Sequence, residues 1–170
     1  MNHTIQIRNE SHNDAAVIHA VTTAAFLNAP HTAHTEQFIV AALRRTGALT
    51  ISLVAEQHGV VIGHVAVSPV ALSDGSAGWY GIGPISVLPE HQRAGIGSML
   101  MRRVLEQLRE TGASGCMLVG DPHFYHRFGF RAEPRLIYPG IPPEFFMAVA
   151  FKQPMPSATV RFHDAFDARE

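Results

Sequence analysis

Two glycines set between an apolar run and a helical stripe constrain this chain more than any other feature. Ile85-Ser86-Val87-Leu88 reads as the end of a strand, and Pro89 closes it. Gln92-Arg93-Ala94-Gly95-Ile96-Gly97-Ser98 follows. Beyond it, Ile96, Leu100, Val104 and Leu108 recur at helical spacing on one face. Arg102, Arg103, Glu106, Arg109 and Glu110 fall off that stripe and are predicted to face water. Gly95 and Gly97 therefore sit on a strand-to-helix turn. The first amides of a helix lack main-chain acceptors and carry partial positive charge. Glycine lets a ligand come close to them. The turn is a candidate anion site, above all for phosphate.

Two familiar phosphate loops do not fit. A P-loop requires Gly-x-x-x-x-Gly-Lys-Ser/Thr, and no lysine precedes Ser98. A dinucleotide fingerprint requires a third glycine and an acid at the end of the next strand. Gly95-Ile96-Gly97-Ser98-Met99-Leu100 lacks the glycine, and Cys116-Met117-Leu118-Val119 lacks the acid. Gly81-Ile82-Gly83 is followed by Pro84 and Ser86 rather than by a helix. A third pattern, Gln/Arg-x-x-Gly-x-Gly/Ala, fits Gln92 to Gly97 at every position.

A length of 170 residues predicts a single domain, 1–170, with a sizeable core. The core is expected over 4–151, with 152–170 as a tail packed on it. A hydrophobic fraction of 46% and a charged fraction of 16% fit a compact globule. The net charge of -1 and the scattered basic residues give no footprint for nucleic acid or a membrane surface. The first ten residues, with Asn2, His3, Gln6, Arg8 and Asn9, do not read as a signal peptide. The longest apolar stretch, Val60 to Leu72, is too short to span a bilayer and holds His64 and Pro69. Cys116 is the single cysteine, so no internal disulfide forms, and a cytoplasmic location is expected. It lies in an apolar run and reads as a small buried hydrophobe.

Thr4 to Arg8 alternates like a strand, and Ser11-x-x-Asp14 resembles a capping box before an amphipathic helix from Val17 to Phe26. Thr35-Glu36 starts a second helix, with Phe38, Ile39, Ala42 and Leu43 inward. Ile51–Glu56 and Val60–Pro69 form a predicted hairpin, and Trp79–Leu88 is the strand that feeds the glycine turn. After the long helix come strand Cys116–Gly120, a short helix after Asp121-Pro122, a strand beyond Phe128-Gly129-Phe130, and strand Phe145–Lys152. Tyr138 to Pro143 is a loop, and Thr159-Val160-Arg161-Phe162 is a short alternating run in the tail. The order β-α-α-β-β-β-α-β-α-β-β is an α+β, or mixed α/β, pattern.

That order and the Gln92–Gly97 pattern resemble the GCN5-related N-acetyltransferases (GNAT), whose matching loop holds the diphosphate of acetyl-coenzyme A. Phe124-Tyr125-His126-Arg127-Phe128-Gly129-Phe130 is similar to that family's Tyr-x-x-x-Gly-Phe segment. The resemblance covers roughly Thr4 to Phe151. Pro139 to Glu144, Phe146-Met147 and Val160 to His163 further resemble a branch of uncharacterised bacterial acetyltransferases. The resemblance implies the GNAT acyl-CoA N-acyltransferase fold: a mixed, mostly antiparallel sheet of about six to seven strands flanked by about four helices. It implies transfer of acetyl from acetyl-CoA to a primary amine, by direct attack in a ternary complex. Main-chain groups of Ile85, Ser86 and Val87 would meet the thioester and pantetheine. The loop Gln92, Arg93, Ala94, Gly95, Ile96, Gly97 and Ser98 would hold the diphosphate. Tyr125 would protonate the departing thiolate, its phenol near ~10 being close to a thiol near ~8.5. Such acid help is worth roughly 10²–10⁴-fold.

Glu36 is a candidate general base, and equally a first-turn partner of the helix dipole. His64, Tyr80, His126 or ordered water are further candidates. His31-x-x-His34 and Asp121-Pro122-His123-x-x-His126 have ligand-like spacing but no further ligands beside them, so no metal is expected. A different reading is a non-catalytic acyl-CoA binding or sensing module, which shares the loop but needs no acid. The acceptor is expected between the first two helices, the loop from Ala29 to Thr35 and the loop from Tyr138 to Phe146. These segments disfavour a strongly anionic acceptor and leave peptide, lysine, polyamine, antibiotic and metabolite amines open. Monomer and homodimer are both open.

Overall fold

The computed structural model describes residues 4–170; residues 1–3, where the expected domain begins and which include Asn2 and His3, lie outside them. Strand β1 (Gln6–Asn9) is followed by helices α1 (Ala15–Phe26) and α2 (Glu36–Arg45). Strands β2 (Ile51–Gln57), β3 (Val60–Leu72) and β4 (Trp79–Val87) lead into α3 (Ile96–Glu110). Then come β5 (Gly115–Val119), the short α4 (Pro122–Tyr125), β6 (Arg131–Ala132), β7 (Leu136–Ile137), β8 (Phe146–Ala150) and β9 (Ala158–Phe162).

The sheet runs β1-β2-β3-β4-β5-β8-β6. Along that path all neighbours are antiparallel except β4 and β5, which are parallel. Among the described residues the nine strands exceed the expected six to seven by β7, which has two residues, and by β9, which lies in the expected tail. The alternating run is the strand: β9 pairs with the far end of β3, Val70 opposite Phe162, and with β7. β3 is longer than the predicted Val60–Pro69 for this reason, since Val70 to Leu72 serve β9 after the pairing with β4 has ended.

The helical stripe packs as its spacing requires. Ile96, Leu100, Met101, Val104, Leu105 and Leu108 of α3 are buried against Leu53, Val65 and Val67 on one face of the sheet. Each such side chain contributes roughly 1.5–3 kcal/mol. On the opposite face, Ile18 and Val21 of α1 and Ile39 and Leu43 of α2 cover Val54, Val61 and Ala66. Phe38 is only half-buried and packs edge-on against His19. A third cluster, with Trp79, Met117, Phe146 and Val160, ties β9 to the sheet.

Only one arm of the predicted capping box forms. The Ser11 N–H donates to Asp14 Oδ2 at 2.7 Å. Arg8 holds the same carboxylate at 2.7 Å and Glu56 at 2.8 Å. The guanidinium keeps Asp14 well below the usual carboxylate range.

The decisive irregularity is in β4. Val65 faces Ile85 and Val67 faces Ile82, so Gly83 and Pro84 together oppose Ala66 in a bulge. Pro84 has no N–H for a ladder, and a bulge is where a strand tolerates it. Pairing between β4 and β5 covers only Trp79, Tyr80 and Gly81. Beyond Gly81 the two parallel strands part while β4 stays on β3 as far as Val87.

Candidate active site

The parting of β4 and β5 opens a cleft of about 540 Å³. Ile82, Gly83, Pro84 and Ile85 form one wall, and Val119, Gly120, Asp121, Phe124 and Tyr125 the other. The Leu88 N–H donates to the Ile62 carbonyl at 2.9 Å, which fixes the phase of the β3–β4 ladder. Ser86 then exchanges its main-chain bonds with His64, whereas main-chain groups of Ile85 and Val87 point away from β3, toward the gap that β5 leaves. Of the three β4 residues expected to present main chain, two are therefore directed to the opening. Ser86 is buried, and its hydroxyl has no partner.

The glycine turn stands at one end of this gap. Gly95 is the N-cap of α3 with φ 85°, and Arg93 also adopts a positive φ of 63°. No side chain caps the helix, and its first main-chain bond is from Met99 N–H to the Gly95 carbonyl, at 3.1 Å. The amides of Ile96, Gly97 and Ser98 are thus left for a ligand. Arg93, Ala94 and Gly95 are exposed, with nothing over the α face of Gly95. Gln92 does something the motif did not reveal: its Nε2 donates to the Val87 carbonyl at 3.0 Å, clamping the loop to the open edge of β4. A Cβ on Gly97 would lie 3.4 Å from the tip of Phe124, so the turn and α4 adjoin.

Tyr125 lines the cleft, and its ring is buried. It stands edge-on to Phe124, with centroids 4.8 Å apart, and to Phe130 at 6.2 Å. Burial, helped by the negative charge of Asp121, pushes its phenol up to about 12. The Asp121 carboxylate caps α4 by accepting from the His123 N–H at 2.9 Å.

Glu36 reaches the cleft from the start of α2. The Thr32 hydroxyl donates to its Oε1, and Oε2 is buried with no partner. Tyr138 and Ile141 also line the cleft, as the sequence implied for their loop. Phe26 and Ile39, from the two helices expected to flank the acceptor, complete the wall with Phe162 and Phe166, which no motif in the sequence marks as site residues.

The other candidate bases stand elsewhere. His64 is fully buried, its Nε2 shares a hydrogen bond with Ser52 Oγ at 2.7 Å, and desolvation pushes it down to about 3. Tyr80 packs against the α3 face of the sheet, and the His126 side chain is exposed. Cys116 is buried in that same layer, where desolvation raises its thiol. Among the described residues no group of three or more His, Cys, Asp or Glu side chains is placed to hold a metal. Among the same residues no helix is long and apolar enough to cross a membrane.

Residues 15–130, from α1 through Phe130, match the Acetyltransferase (GNAT) family. The chain belongs to the GNAT family. A curated GNAT relative, the uncharacterized N-acetyltransferase YhbS of Escherichia coli (strain K12), is 38% identical over 96 residues. That stretch is 56% of this chain and 58% of the relative's length. Among solved structures, a GNAT acetyltransferase from Brucella melitensis in complex with acetyl-CoA is 47% identical, with a TM-score of 0.87. The match covers 98% of this chain and all of that one. The Escherichia coli YhbS structure in complex with CoA superposes with a TM-score of 0.87 at 30% identity, over 96% of this chain and 92% of that one.

Proposed function

We propose that this GNAT chain is an acetyl-CoA-dependent N-acetyltransferase that acylates a primary amine by direct attack in a ternary complex. The observation that carries the reading is the cleft itself. Ile85 and the Tyr125 side chain line the gap between β4 and β5, and the uncapped start of α3 adjoins it through Phe124. The complexes of the Brucella melitensis and Escherichia coli relatives with acetyl-CoA and CoA support it.

In this reading the amides of Ile96, Gly97 and Ser98 hold the diphosphate, with Arg93 beside them. Main-chain groups of Ile85 and Val87 hold pantetheine and orient the thioester carbonyl. The acceptor nitrogen bonds to the acetyl carbon and the carbon–sulfur bond breaks. One ammonium proton goes to the Glu36 carboxylate before the attack, which frees the nitrogen lone pair. The phenolic proton of Tyr125 goes to sulfur, and the second nitrogen proton returns to the tyrosinate oxygen as the amide forms. A phenol near 12 is a weak acid for a thiol near ~8.5 in water. Inside the cleft the sulfur is desolvated as well, and burial raises a thiol just as it raises Cys116, which narrows the gap. The single buried cysteine fits work in the cytoplasm.

Calorimetric titration with acetyl-CoA, with NADH as control, tests the donor site. Saturable binding of acetyl-CoA alone is expected. No heat with millimolar acetyl-CoA would remove the Gln92–Ser98 loop from this role. Binding without turnover of any amine would favour an acyl-CoA sensing module instead.

A further inference from the structure

Building on the acetyltransferase reading, we propose that the acceptor is a primary amine carried on an uncharged aromatic or alkyl body. Three observations on the α2–β9 side of the cleft lead there. The first is the wall. Tyr138, Phe162 and Phe166 form a continuous aromatic row, with centroids 4.8 Å apart for the first pair and 5.0 Å for the second. Phe26, Ile39 and Ile141 extend it. The row is held against the sheet, because a Cβ on Gly81 would run into Cε1 of Phe162. A body that fills this space must be apolar, and aromatic rings pair well with such a wall.

The second observation is the charge. Among the described residues the cleft is lined by two carboxylates, Glu36 and Asp121, and by no lysine or arginine. An amine is attracted as its ammonium. An acceptor bearing its own carboxylate, such as a free amino acid, meets like charge and no cation to pair with it.

The third observation is the buried Glu36 Oε2. Thr32 occupies the other oxygen and itself accepts from the His34 N–H at 2.9 Å, so the carboxylate is fixed to the loop between α1 and α2. The other oxygen is buried without a partner, on a residue that lines the cleft where it is otherwise apolar. An ammonium donates to one such oxygen, and a buried carboxylate acceptor is costly to leave unmade. A single anchoring carboxylate beside a ring-lined wall suits one ammonium on an apolar body. A polyamine would need a row of acceptors, and the aromatic wall offers only the Tyr138 hydroxyl.

The test is steady-state turnover by thiol release with acetyl-CoA and four acceptors: 2-phenylethylamine, hexylamine, phenylalanine and spermidine. The two apolar amines should exceed phenylalanine and spermidine in kcat/KM by about 10- to 100-fold. Glu36→Gln should raise KM for 2-phenylethylamine by about 10-fold or more while the Kd for acetyl-CoA, read by calorimetry, stays the same. Phe166→Ser should raise KM for 2-phenylethylamine more than for methylamine, which does not reach the wall. Higher kcat/KM for phenylalanine or spermidine would overturn the proposal. So would acetyl-CoA binding with no turnover of either apolar amine, which leaves the donor site standing. Absence of acetyl-CoA binding would instead overturn the donor reading and this proposal with it.

Discussion

Gly120 lies so close to Tyr125 that a Cβ at this position would run into Cε2 of the ring. The contact joins the end of β5 to α4 and sets where the phenol stands in the cleft. Phe124 and Phe130 flank the ring edge-on, so it cannot turn within its place to admit a methyl group and would have to move with them. Gly120→Ala should therefore displace Tyr125 and lower kcat, with the diphosphate loop untouched. A drop of about 10-fold or more in kcat, with the Kd for acetyl-CoA within about twofold, is expected, since small misplacements of reacting groups are costly. Unchanged kcat in a folded Gly120→Ala protein would show that the ring position is not set by this contact.

Gln92 supplies a second separation. Its side chain holds the loop to the Val87 carbonyl and is itself exposed. Gln92→Ala removes one hydrogen bond, worth about 1 kcal/mol. Stability should fall by no more than about 1 kcal/mol, while the Kd for acetyl-CoA rises about 5-fold because the amides at Gly95–Ser98 are less well placed. Paired thermal melts and calorimetry decide it. A large fall in melting temperature with unchanged Kd would make Gln92 a structural residue only.

How much of this was legible in the sequence follows the range of the interactions. The α3 stripe is local, and Ile96, Leu100, Val104 and Leu108 are all buried as their spacing required. The hairpin of β2 and β3 was legible for the same reason. β9 was visible as an alternation at Thr159–Phe162, but its partners lie at Val70–Leu72 and Leu136–Ile137, far away in the chain. The bulge at Gly83–Pro84 depends on a count against Ala66 across strands, which no periodicity in β4 can reveal. The site divides the same way. The glycine turn and Tyr125 sit in short motifs, whereas Phe26, Phe162 and Phe166 meet only through the fold. The role of Gln92 needed the position of the Val87 carbonyl.

His64 makes a pH prediction. Desolvation, then the positive charge of Arg44, holds the buried ring near 3 against an opposing effect of Asp14. Unfolded, it takes a proton near ~6.5. The unfolded state therefore binds more protons between these values, and stability is full above about 6.5 and falls as pH drops toward 3. Asp14 acts lower, because its depressed carboxyl costs stability only as pH falls below about 3.9. Urea midpoints from pH 6.5 to 4.5 should decline with a contribution of up to about 1.4 kcal/mol per pH unit from His64. His64→Gln should flatten that slope. The same slope in the variant would mean that His64 is not the group responsible.

Tyr125→Phe tests the acid. The ring keeps its contacts with Phe124 and Phe130, so only the hydroxyl is lost. With the amine at saturation, kcat should fall by roughly 10²–10⁴-fold while the Kd for acetyl-CoA stays within about twofold. The pH profile adds a sign. A phenol raised to about 12 stays protonated throughout the neutral and mildly alkaline range. Its ionisation should therefore produce no fall in wild-type rate up to about pH 10. An alkaline limb centred near pH 10, absent from Tyr125→Phe, would mean that the phenol titrates at its ordinary value and that burial does not hold its proton. Full turnover by Tyr125→Phe across the pH range would remove the acid role and leave the thiolate to depart on main-chain stabilisation alone.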